Sequence, residues 1–124
     1  MAIEQLRSAI DALAAADVVG ISQRDELAEL WREKARIDAQ FARRVAELDT
    51  SVEWSVDGSR SAASWLVRNL RLATGEAHHQ VRVARQMAEM PIANAAWQDG
   101  LISSRHVDAL TTIRHAADAD AEFP

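Results

Sequence analysis

Cysteine is absent from the 124 residues, which removes disulfides, thiolate nucleophiles and zinc-thiolate sites together. Nothing then marks an oxidising compartment, and the cytosol is the expected location. The chain has only 4 glycines and 2 prolines, so the punctuation of a loop-rich or β-rich protein is missing. A long apolar run is missing too. The opening stretch MAIEQLRSAIDALAAADVV is broken by Glu4, Arg7 and Asp11, unlike a signal peptide or membrane span, so a soluble protein with no membrane partner is expected. There is no Gly-rich phosphate loop of the Walker or dinucleotide type. The carboxylates are spread over polar helical positions, where pairs such as Asp25 and Glu26 suit helix caps and dipoles. Neither an enzyme nor a bound cofactor is expected from this pattern.

What is present is helical periodicity in a length suited to one domain. The reading is all-α with about six helices: a long N-terminal helical arm over residues 1–49, then a compact region over 50–118 of the same domain. An acidic tail over 119–124 is expected to fray. A first helix runs from about Ile3 to Ala16, with Ile3, Leu6, Ile10 and Leu13 spaced to bury one face and Gly20 as a breaker. Ser22 and Asp25 look like a capping pair. Beyond them Leu27, Leu30, Ile37, Phe41 and Leu48 keep near-heptad spacing to Asp49. Lys34 and Arg44 fall in that seam, which favours packing against the first helix and the domain body over a continuous two-stranded coiled coil.

TSVEWSVDGSRS reads as a loop turned at Asp57-Gly58 and pinned by Trp54. A short helix follows, capped by Ser59 or Ser61, with Ala62, Ala63, Leu66, Val67 and Leu70 inward. The next is expected from Thr74 to Met90, where Pro91 stops it and opens another short helix through Trp97, ended by Gly100. Ser103 or Ser104 caps a last helix with an apolar row of Val107, Leu110 and Ile113.

The charge is uneven. Residues 1–58 hold 7 basic and 12 acidic side chains, residues 59–90 hold 5 and 2, and residues 91–124 hold 2 and 5. The middle third is therefore basic inside a chain of net charge -5. On a wheel of about 100° per residue, Ala77, Val81, Ala84, Met87 and Ala88 fall on one side of the helix from Thr74. His78, His79, Arg82, Arg85 and Gln86 fall on the other, with Thr74 and Glu89.

Arginine can contact guanine edges or phosphate, and glutamine can pair with adenine. With the preceding helix this segment has helix-turn-helix spacing, the second helix being the recognition helix. Any surface helix also has a polar arc, so spacing alone does not separate a DNA face from a wet one. Adjacent His78 and His79 point about 100° apart, and His106 and His115 lie nine positions apart, neither with the i, i+4 spacing of a helical chelate. No metal site is expected.

The run DGSRSAASWLVRNLRLATGEAHHQVRVARQM, then MP, then WQDGLISSRHVDAL, resembles the bacterial domain-of-unknown-function 222 family, also called the 13E12 repeat family. The motif is carried by Asp57-Gly58, Ser61, Trp65-Leu66, Gly75-Glu76-Ala77, Val81, Arg82, Arg85, Pro91, Gly100-Leu101, Ser103 and His106. The clear match covers about residues 50 to 115. The resemblance implies a module that often precedes a C-terminal HNH endonuclease domain, whose His-Asn-His cluster this sequence does not contain.

The order of helices and the segment DGLISSRHVDAL also look like the helix-turn-helix region of ParB-type partition proteins, with Ile102 interrupting that pattern and Val107 in place of its alanine. These resemblances imply a non-catalytic module that binds or positions double-stranded DNA. His78, His79, Arg82, Arg85 and Gln86 would face the duplex, with Arg60, Arg68 and Arg71 on neighbouring phosphates. The alternative is a protein-interaction module, or a homodimer, formed through the long helix 23–49.

Overall fold

Six α-helices follow one another in the computed structural model, which describes residues 1–18 and 23–122: α1 (Ala2–Ala15), α2 (Gln23–Ser51), α3 (Ala62–Leu70), α4 (Thr74–Ala88), α5 (Pro91–Gln98) and α6 (Ser104–Glu122). A 3-10 turn over Glu53–Asp57 joins α2 to α3, and the described residues contain no strand. The fold class is all-α. No helix among the described residues is long and apolar enough to cross a membrane. The chain divides into two units, Met1–Leu30 and Trp31–Pro124, so the division falls inside α2 and not at its end near Asp49.

In the first unit, α1 has the expected row Ile3, Leu6, Ile10 and Leu13, yet none of its residues is buried. Thirty residues are too few to enclose a core of their own. The proposed breaker Gly20 and cap Ser22 lie outside the described residues.

The second unit holds the core. Here α2 buries small residues, Ala35, Ala39, Ala42 and Val45, and not the larger apolar series that the heptad spacing picks out. Ile37 and Phe41 remain 44% and 39% exposed, and only Leu48 of that series is packed against the core. The face of α2 that the body encloses is thus its small-residue face, not the one with the larger side chains.

Opposite α2 lie Ala62, Ala63 and Leu66 of α3, the buried residues of α4, Trp97 of α5 and Val107 of α6. In α6 the inward row is Val107 and Thr111, whereas Leu110 and Ile113 are exposed. Thr111 can be buried because its hydroxyl donates to the Val107 carbonyl at 2.8 Å, which satisfies the polar group within its own helix.

The helix ends follow local chemistry. Trp54 is half-buried and its Nε1 donates to the Asp49 carbonyl at 3.4 Å, while Gly58 turns the chain at φ 86°. Ser61 caps α3, its hydroxyl accepting from the Ser64 amide at 3.1 Å. Ser103 does the same for α6, accepting from the His106 amide at 3.2 Å.

Pro91 opens α5, and Gly100 ends it at φ 73°. The close of α5 is also held from a distance. Arg32 donates from Nε and Nη2 to the Asp99 carbonyl at 3.2 and 3.0 Å, and Arg36 donates from Nε to the Gln98 carbonyl at 3.2 Å. A cation on the last carbonyls of a helix satisfies acceptors that the helix cannot. Finally, α6 continues through Glu122, including the acidic stretch whose composition predicts fraying; residues 123 and 124 lie outside the description.

Candidate nucleic-acid interface

The basic segment 59–90 forms the end of the α2–α3 connection, α3, a three-residue turn and α4. Arg71 makes the turn by taking up left-handed backbone at φ 57°, a conformation glycine adopts far more readily. Ala73 is then extended and α4 begins at Thr74.

Helix α4 packs against α3, α5 and α6. It accordingly buries Ala77, Val81, Val83, Ala84, Gln86 and Met87, an arc of roughly 220° on the helical wheel. Thr74, His78, Arg85 and Glu89 mark the exposed side, together with Ala88, which the sequence placed inside. The polar side is therefore narrower than the sequence pattern suggests.

Of the five residues expected to face a duplex from α4, four are engaged within the domain. Gln86 is only 8% exposed, and its buried Oε1 has no hydrogen-bond partner. Its backbone carbonyl lies 3.4 Å from Nη1 of Arg114, whose Nη2 pairs with Glu89 at 2.7 Å.

His79 and Arg82 form a relay to α6. Arg82 Nη2 lies 2.9 Å from His79 Nδ1, and His79 Nε2 lies 2.8 Å from Asp108 Oδ1. A guanidinium only donates, so Nδ1 accepts and the ring proton sits on Nε2, donating to Asp108. The Nε of Arg82 is buried without a partner.

Arg85 grips Asp49 of α2 with two parallel bonds, Nε to Oδ2 and Nη2 to Oδ1, both 2.8 Å. That hydrogen bonding lowers the Asp49 pKa, with burial opposing it, and raises that of Arg85. Asp49 is only 15% exposed but Arg85 is 63% exposed, so part of the guanidinium still faces solvent.

His78 and the three outlying arginines differ. Arg60, Arg71 and His78 are exposed, and their side chains make no hydrogen bond or ion pair among the described residues. Arg68 is exposed and uses Nη1 to hold the Asp57 carbonyl at 3.0 Å, leaving its other donors free. Asp57 itself anchors the connection. Its Oδ1 accepts from the Ser59 hydroxyl at 2.6 Å and amide at 3.0 Å, and its Oδ2 from Asn69 at 2.9 Å. These bonds, the Ser59 hydroxyl foremost, lower the Asp57 pKa to about 2.

Beside α4 lies a cavity of about 280 Å³ between α2, α4, α5 and α6, lined by Asp38, Glu76, His79 and Asp108 with Phe41 and Trp97. Its three carboxylates oppose a phosphate. Among the described residues, no three His, Asp or Glu side chains converge so as to hold one metal ion.

The sequence pattern did not point to Asp49, Asp108, Arg32 or Arg36, all of which act over long sequence separations. No short-range spacing announces them.

The family model described as "Domain of unknown function (DUF222)" matches residues 24–121. The chain belongs to the DUF222 family. The match takes in most of α2 as well as the motif region after residue 50, and the family description attaches no activity to the domain. No curated protein and no solved structure matches. The further likeness to ParB-type proteins has no counterpart in these comparisons.

Proposed function

We propose that this DUF222 domain is a non-catalytic module that contacts the phosphate backbone of double-stranded DNA without reading base sequence. One observation carries the reading. The side chains expected to read bases are tied inward, Gln86 by burial and His79 and Arg82 by the relay to Asp108, whereas Arg60, Arg68, Arg71, His78 and Arg85 stay exposed. They belong to a segment with 5 basic and 2 acidic side chains in an otherwise acidic chain. Phosphate contacts position a protein on a duplex and base contacts specify the site; only the first kind is available here. In a longer protein of the HNH type, such a module would hold the duplex while another segment cuts it.

Fluorescence anisotropy with labelled duplexes tests this. Affinity falls with salt by about 0.9 log unit per log unit for each phosphate neutralised, and duplexes of unrelated sequence bind within about twofold of one another. Arg60→Ala with Arg71→Ala lowers the salt slope by about 2. Absence of binding at low salt, a flat salt response, or strong preference for one sequence refutes the proposal.

A further inference from the structure

Arg82 is half-buried on α4, and its only hydrogen bond among the described residues runs from Nη2 to Nδ1 of His79 at 2.9 Å. Its Nε is buried with no acceptor. A buried donor left unsatisfied opposes the position it occupies, so the contact with His79 is what retains the side chain. The acceptor there is an imidazole lone pair, which exists only while the ring is neutral, because a protonated ring is a donor at both nitrogens. Arg85, Arg114, Arg32 and Arg36 are held instead by carboxylate or backbone carbonyl oxygens, which remain acceptors at neutral and mildly acidic pH.

We propose that His79 is an acid-sensitive latch: protonation of its ring releases Arg82 into solvent, where it adds a cation to the exposed side of α4. Geometry decides which partner moves. His79 Nε2 already donates to Asp108 of α6 at 2.8 Å, and a positive ring turns that contact into an ion pair, so the ring stays. Its Nδ1 then carries a proton directed at the Arg82 guanidinium, and the two cations repel. Leaving also returns the Arg82 Nε to water. Around the helix Arg82 lies about 40° from His78 and about 60° from Arg85, so the freed guanidinium joins those two exposed side chains.

The charged groups facing the ring come from three helices. Asp38 of α2, Glu76 of α4 and Asp108 of α6 line the same cavity as His79, and α5 contributes the uncharged Trp97. Beyond Asp38 and Asp108, Lys34 and Arg105 border an adjoining cavity. Arg82 is the cation in direct contact. A positive ring thus stands among three carboxylates and conflicts first with Arg82. The His79 side chain is 23% exposed, so its proton exchanges with solvent without unfolding.

Nitrogen-15 NMR of the full chain from about pH 8 to about pH 5, the range over which imidazoles titrate, tests the latch with no ligand present. At the upper end His79 is expected as the Nε2–H tautomer. There the Arg82 Nε–H is expected to exchange with water about tenfold or more slower than that of exposed Arg71 in the same sample. At the lower end the two rates are expected to converge, with the midpoint of the His79 ring. In His79→Asn, which cannot titrate, their ratio is expected to stay constant with pH; if that variant does not fold, the shared midpoint in the parent decides. A His79 ring that stays neutral throughout, an Arg82 that stays protected after the ring titrates, or a change that survives His79→Asn overturns the proposal.

The consequence for DNA rests on the phosphate-contact reading above, and duplex binding measures it separately. In the His78→Gln chain, which lacks the neighbouring imidazole, the salt slope is expected to be steeper at about pH 5 than at about pH 8 by about 0.9, one further phosphate neutralised. In His78→Gln with Arg82→Gln the two slopes are expected to agree. Absence of duplex binding at either pH refutes the phosphate-contact reading and leaves the NMR result standing. Equal slopes in the His78→Gln chain, with Arg82 released, overturn the added cation as a phosphate contact.

Discussion

Helices α2 and α4 both look amphipathic in sequence, and the second unit uses them in opposite ways. In α2 the side chains that look like a core, Ile37 and Phe41, stay exposed and alanines are buried. In α4 the side chains that look like a wet face, His79, Arg82 and Gln86, are drawn into contacts with the body. Hydropathy sorts side chains by their affinity for water, but a close-packed body also sorts them by size and by available partners. On α2 the enclosed positions are the small ones, Ala35, Ala39 and Ala42. A histidine and an arginine are admitted because Asp108 completes their hydrogen bonding.

The sharpest way to break this comparison is to exchange size between the two faces of α2. Ala39 is 1% exposed, so Ala39→Leu adds volume with nowhere to go and is expected to destabilise by about 1–3 kcal/mol. Ile37→Ala, at a residue that is 44% exposed, is expected to cost less than about 0.5 kcal/mol, as surface changes usually do. Urea denaturation of both variants decides it. A larger loss at Ile37 than at Ala39 means that the heptad face, not the alanine face, is the packed one.

Much of the fold was readable from residues with strong local chemistry. Ser61 and Ser103 as caps, Pro91 at a helix start, and Gly58 and Gly100 as turns act within a few positions, so their spacing reports their role. The near-heptad series of α2 is also visible in the sequence, and α2 does pack on the domain body, but through Ala35, Ala39, Ala42 and Val45, with only Leu48 of that series against the core. For α4, the wheel marks a boundary between polar and apolar residues and says nothing of how many neighbours surround the helix. Packing by α3, α5 and α6 leaves only the Thr74, His78, Arg85 and Glu89 side free. The partners Asp49 and Asp108 lie 36 and 29 positions from the α4 side chains they hold, beyond any local periodicity.

A second exchange probes α4. The Gln86 oxygen is buried without a partner, and replacing such a group by an apolar one of similar shape removes a desolvation penalty. Gln86→Met is therefore expected to leave stability unchanged or raise it by about 1 kcal/mol. Duplex affinity should not move. A marked loss of affinity on Gln86→Met would return this residue to the DNA face and contradict the packing of α4.

The smallest expected effect concerns Asp57, where the connection into α3 is held by hydrogen bonds to an exposed carboxylate. Its pKa is lowered from 3.8 to about 2, chiefly by the Ser59 hydroxyl and then by Asn69. A carboxylate whose folded pKa lies below its unfolded value stabilises the fold fully above the unfolded value, and that contribution fades as pH falls through the folded one. The window here runs from about pH 4 down to about pH 2. Asp57→Asn cannot titrate and is expected to be less stable than the parent at pH 7, with the gap closing across that window. Thermal midpoints of the two proteins at pH 7, 4, 3 and 2 read the gap directly. A gap that stays constant down to pH 2 would mean that Asp57 holds the connection by shape and not by charge, and would separate this anchor from the charged clamp that Arg85 makes on Asp49.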